Sequence, residues 1–120
     1  MRNVCVNILS ATDTASHNGS AVPSNQLVSA SFQAYFGDDT AAGTFKIQAS
    51  NDFSISGTQM PSAFTPTNWV DIPNASVSIT SGGSALITIA NMCYQYVRAI
   101  YTSDSGGSST INVEMNALSI

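Results

Sequence analysis

Charge is what this chain has least of. Asp, Glu, Lys and Arg make up 8% of its 120 residues, with 3 Lys+Arg against 7 Asp+Glu, where about 25% is usual. Three basic residues cannot neutralise many phosphates, so nucleic-acid binding through an electrostatic footprint is excluded. No apolar run nears the roughly 18 residues of a membrane-spanning helix. The start, Met1 to Leu9, alternates and carries Asn3 and Asn7; it lacks a signal peptide's continuous apolar stretch. Cytoplasmic synthesis without export, and no membrane partner, is the expectation. Cys5 and Cys93 are too few for a disulfide framework and read as two reduced core thiols.

Catalytic and metal-binding groups are equally scarce. His17 is the single histidine and sits among Ser, Asn and Gly, which reads as an exposed loop residue and not as part of a zinc site. No Gly-x-Ser-x-Gly elbow accompanies it. Glu114 is the only glutamate, and nearly all the aspartates lie in turn-like contexts, where the side chain bonds its own backbone. A glycosidase carboxylate pair is therefore not indicated. Asp38-Asp39 and Asn51-Asp52 could offer oxygens to calcium, but no EF-hand spacing is present. The chain reads as a non-enzyme that needs no cofactor.

What is present is apolar, hydroxylic and amidic. Apolar residues make up 43% of the chain. Ser and Thr supply about a quarter and Asn about a twelfth, well above ordinary usage. Apolar content at that level argues against disorder. Period two dominates the pattern. Val4, Val6 and Ile8 share a face, as do Val28, Ala30, Phe32, Ala34 and Phe36. Phe45, Ile47 and Ala49 follow, and Ile111, Val113, Met115 and Ala117 close the series. Trp69 to Ile72 reads as a short strand ending at Pro73, and Ser81-Gly82-Gly83-Ser84 as a hairpin turn between Val77–Thr80 and Ala85–Ala90. No window shows a helical period. The fold class is all-β: a single-domain β-sandwich or jelly roll spanning 1–120, with about eight antiparallel strands.

Two groups of residues are candidates for function. Arg98 lies mid-strand on one face with Tyr94, Tyr96 and Ile100. A guanidinium there must be paired or stacked, and Glu114 on the following strand is the natural partner, with Asp71 second. The long irregular stretch from Asn51 to Asn68 is the other feature, since long loops in small domains often bind. Trp69, Tyr96, Phe53 and Asp52 form the candidate ligand or partner surface, because aromatic faces stack on sugars and also pack between subunits.

The series Phe45-Lys46-Ile47-Gln48-Ala49-Ser50-Asn51-Asp52, then Trp69, Tyr94-Gln95-Tyr96-Val97-Arg98 and Ile111-Asn112-Val113-Glu114-Met115 resembles the discoidin and galactose-binding-like jelly rolls over about residues 44 to 118. The chain lacks the terminal cysteine pair of their extracellular members. With the strand Ala30-Ser31-Phe32-Gln33-Ala34 and with Gly43-Thr44-Phe45-Lys46, the series also looks like small structural proteins of tailed bacteriophages. That resemblance implies a virion component made in the host cytoplasm. It would be a capsid decoration or cement protein that associates with itself, as a homotrimer, and docks on a major capsid protein lattice. A carbohydrate- or receptor-binding module of a tail or fibre is the alternative.

Overall fold

The computed structural model describes residues 2–12, 15–37, 40–52, 65–105 and 110–120. They form nine strands: β1 (Arg2–Ala11), β2 (His17–Asn18), β3 (Val22–Pro23), β4 (Leu27–Phe36), β5 (Ala42–Ser50), β6 (Val70–Ile79), β7 (Gly83–Ile89), β8 (Tyr96–Ser105) and β9 (Ile111–Ser119). There is no helix among the described residues. Antiparallel pairing joins β1 to β9, β2 and β3 to β8, β4 to β7, and β5 to β6. The chain is thus one long hairpin, out through β1–β5 and back through β6–β9. Two further pairings, β4 with β9 and β5 with β8, roll it into two sheets. The first sheet has the order β1-β9-β4-β7 and the second β2-β8-β5-β6, with β3 also on β8. This is the jelly-roll sandwich that the period-two pattern implies.

Alternation builds the core. Phe45 and Ile47 of β5 stand beside Tyr101 and Ala99 of β8. Across the sandwich, Ile111, Val113 and Met115 of β9 stand beside Phe36, Ala34 and Phe32 of β4. All are buried, and each large one contributes about 1.5–3 kcal/mol. Phe36 and Tyr101 join the layers, with ring centroids 5.0 Å apart. The Tyr101 hydroxyl donates to the Ala42 carbonyl at 3.1 Å, and burial raises its pKa.

Bulges move several residues off the simple alternation. In β4 the register shifts between Leu27 and Ser29, so Leu27 is buried and Val28 turns outward. In β1 the shift falls between Asn7 and Leu9; Ile8 and Leu9 are both buried, while Val6 is 40% exposed. Trp69–Ile72 and Val77–Thr80 are not separate strands. β6 runs through Pro73 with a bulge that sets Asp71–Ser76 against Gln48–Lys46 and puts Asn74 in the left-handed region at φ 63. Proline is tolerated because β6 is an edge strand.

Two further expectations are corrected. Ser81-Gly82-Gly83-Ser84 does not close a hairpin, because β6 and β7 belong to different sheets. Gly82 and Gly83 have φ of 66 and 80, and Gly82 N–H donates to the Ala41 carbonyl at 2.9 Å, so this turn carries the chain across the sandwich. Cys5 and Cys93 are free thiols as expected, but both are exposed and neither lies in the core.

Candidate functional site

Arg98 lies on the outward face of β8, opposite Gln48 of β5, and Gln48 lies opposite Asp71 of β6. The expected pairing with Glu114 does not occur. Glu114 belongs to β9 of the first sheet, on the opposite outer face of the sandwich, where it accepts from Asn7 Nδ2 at 2.9 Å. Sequence order makes consecutive strands neighbours, whereas β8 and β9 lie in different sheets. Arg98 instead donates Nε and Nη2 to Gln48 Oε1 at 3.0 and 2.8 Å. Its guanidinium carbon lies 4.4 Å from the centre of the Trp69 ring, a cation–π stack.

Asp71, the second candidate partner, is reached through the amide: Gln48 Nε2 donates to Asp71 Oδ1 at 2.8 Å. Lys46 Nζ meets Asp71 Oδ2 at 3.1 Å. The Gln48 hydrogen bond, with that of Lys46 behind it, lowers the Asp71 pKa. Burial lowers that of Arg98. The charged groups on this face are therefore engaged within the chain: Lys46 with Asp71, and Arg98 with Gln48 and Trp69. Trp69 has Arg98 on its ring, and Tyr96 is only 3% exposed, which leaves it no open face for stacking. Gln48 was missed in the sequence because a neutral amide gives no charge signal.

Asp52 is a clamp. Its carboxylate accepts from the backbone N–H of Thr67 and of Asn68, each at 2.9 Å, and from Asn68 Nδ2 at 3.2 Å. These bonds hold together the two ends of the long loop and lower the Asp52 pKa, the Asn68 backbone bond most. Phe53 lies outside the described residues, as do Asp38 and Asp39. Beside the clamp is a cleft of about 440 Å³ at the end of the sandwich, lined by Ala49, Val70, Ile72, Pro73 and Tyr94 with Asp52, Asn68 and Asp71 at its polar side. His17 is a strand residue opposite Tyr101 and is half-buried, not a loop residue. No cluster of three metal-ligating side chains occurs among the described residues.

The outer face of the first sheet differs in kind. It is laid out in rungs: Cys5, Asn116, Ser31 and Thr88; Asn7, Glu114, Gln33 and Leu86; Ser10, Asn112, Tyr35 and Ser84. Asn7 to Glu114, Ser10 to Asn112 at 3.1 Å and Cys5 to Asn116 at 3.4 Å bond across the strands. Glu114 is the sole charge in these rungs. Tyr35 and Leu86, diagonal neighbours, are 56% and 61% exposed.

No family model matches the chain, and no curated protein matches it. Among solved structures, the SPBc2 prophage-derived protein YomS superposes with a TM-score of 0.62 at 10% identity, over 98% of this chain and 94% of that one. The two share a fold. Looser likenesses occur to a protein of Bacillus endospore appendages, disulfide-linked pili, with a TM-score of 0.43 at 16% identity over 99% and 86% of the chains. A carbohydrate-binding module from a family 9 glycoside hydrolase of Ruminococcus flavefaciens gives 0.39 at 10% identity over 96% and 100%. Neither of these two carries an argument about this chain.

Proposed function

We propose that this chain is a structural, non-enzymatic component of a phage virion, a decoration protein that docks on the major capsid lattice through the outer face of its first sheet. The observation that carries this reading is the composition of that face: rungs of amides and hydroxyls, one carboxylate, and exposed Tyr35 beside Leu86 on the β4–β7 pair. The buried centres of protein interfaces are depleted in charge and enriched in tyrosine, and their surroundings are wet and hydrogen-bonded. The second sheet's outer face offers less, because its charged groups are already bonded within the chain. A prophage-derived protein with the same fold is in keeping with a virion location. Copies would sit as trimers on threefold positions of the lattice.

The test is to mix the purified protein with capsids lacking it and count the bound copies. Tyr35→Ala and Leu86→Lys should each lower affinity at least tenfold, the scale of a central interface residue, without changing the melting temperature. Full occupancy by both variants would refute the docking face. The alternative is a glycan-binding module, for which Trp69 and Tyr96 are poorly disposed. The feature that favours it is the cleft beside Tyr94, where a half-buried ring meets Asn68 and Asp52. Saturable binding to a glycan, with none to any capsid, would select that reading.

A further inference from the structure

The four sheet edges are not alike. β6 carries Asp71, Pro73 and the left-handed Asn74, and β2 and β3 are two residues each. Charge, proline, bulges and shortness are the usual means of blunting an edge. β7 carries no charge, but its inward residues Ala85, Ile87 and Ile89 are covered. β1 differs from all three ahead of its own bulge at Asn7–Leu9. It has ten residues, no proline, and no charge after Arg2; among the described residues it pairs with β9 alone, apart from the Ile8 carbonyl, which accepts from Ser20 N–H at 3.0 Å. Its inward side is also unfinished. Val6 stands opposite Met115, which is 1% exposed, yet Val6 itself is 40% exposed.

We propose that the free edge of β1, from Asn3 to Asn7, pairs with the same strand of a second copy about a twofold axis at Cys5. The occupant is a second copy because the strand is complementary to its own reversal. Antiparallel pairing centred on Cys5 sets Val4 against Val6 of the other copy on the inward side, so four valines cover one another. On the outward side it sets Asn3 against Asn7, two amides that can bond mutually. No like charges meet. Such an isologous contact closes on itself and leaves no further β1 edge. Only about 17 Å of strand is paired, little beside the roughly 1,200 Å² of a stable complex. The contact therefore forms in concentrated solution or between copies already held side by side. Threefold docking does not compete with it, since a lattice with threefold positions has twofold ones between them.

Cys5 reports the geometry directly. Paired residues at the axis have Cα atoms about 4.5–5.5 Å apart, within reach of a short bis-maleimide. The experiment uses the full chain with Cys93→Ser, at rising concentration, and reads covalent dimer on a denaturing gel. The control is Cys5→Ser with Cys93 retained, since that thiol is also exposed and reports random collision. Dimer through Cys5 should form at least tenfold faster than through Cys93. Asn3→Lys combined with Asn7→Lys places like charges directly opposite each other twice, on exposed positions that leave the fold intact, and should return the rate to the collision level. Equal rates for the two thiols, or a rate unchanged by the lysine pair, overturns the proposal. The Cys93→Ser chain, whose docking rungs are unaltered, reads both proposals: Cys5 crosslinking at the collision rate with full capsid occupancy fails the edge alone, and fast crosslinking without occupancy fails the docking face alone.

Discussion

Arg98 leans on an amide oxygen and an indole ring, and its energetic role follows from those contacts. Arg98→Ala removes a hydrogen bond from a charged donor and the stack on Trp69, and should cost about 1–2 kcal/mol in denaturant unfolding. Arg98→Met keeps the stem over the ring and should cost less. Unchanged stability in both variants would show that the network is ornamental. At Gly43, an added Cβ would meet the Thr102 carbonyl of β8; backbone cannot give way cheaply, so Gly43→Ala should cost about 1–3 kcal/mol. Asp52 and Asp71 are both held below the ordinary carboxylate value of 3.8 by hydrogen bonds made in the folded chain. A carboxylate with a folded pKa below its unfolded one stabilises fully above the unfolded value, and loses that contribution as pH falls through the folded one. Stability should thus be level from neutrality to about pH 5 and fall below about pH 4. Asp52→Asn with Asp71→Asn should flatten that acid limb, and an unchanged limb would assign it to other carboxylates.

Single elements were legible where one face met the core and one met solvent. β5 and β9 follow their apolar period residue by residue, and Arg98 does share its face with Tyr96 and Ile100, though Tyr94 lies before β8 begins. The misplacements all come from features whose cause lies in another strand. Leu27 replaces Val28 in the core because β4 bulges against β9. Gly82-Gly83 looks the same in sequence whether it reverses a strand or carries it to the facing sheet, since both need positive φ. Pro73 ends a strand in the interior of a sheet but not at its edge, and edge position is a property of the whole topology. The β6 bulge gives an element-level prediction. Asn74 sits at φ 63, which glycine adopts freely and β-branched residues resist. Asn74→Gly should leave the melting temperature nearly unchanged, whereas Asn74→Val should cost about 1–2 kcal/mol. If the valine variant melts with the parent, the bulge is not held in that conformation in solution.

At the scale of the molecule, the two outer faces divide the chemistry. One face turns Lys46, Asp71 and Arg98 toward partners within the chain. The other presents amides, hydroxyls and two exposed apolar side chains with a single carboxylate, itself bonded by Asn7. Docking through the second kind of face carries a signature in ionic strength. Contacts between separated exposed charges weaken as the Debye length shrinks from about 10 Å at 0.1 M salt to about 3 Å at 1 M. Amide and hydroxyl bonds, and burial of Tyr35 and Leu86, have no such dependence; strongly excluded salts even favour burial. With a net charge of −4 over the whole chain and one charge in the docking rungs, affinity for the capsid should change less than about threefold between 0.05 and 0.5 M sodium chloride, since screening has almost nothing to act on there. Association should also run at the unsteered rate of about 10⁵–10⁶ M⁻¹s⁻¹. Titration of capsids at several salt concentrations measures both quantities. An affinity that collapses with salt would mean that the charged face, with Arg98 and Lys46 released from Gln48 and Asp71, is the one that meets the lattice.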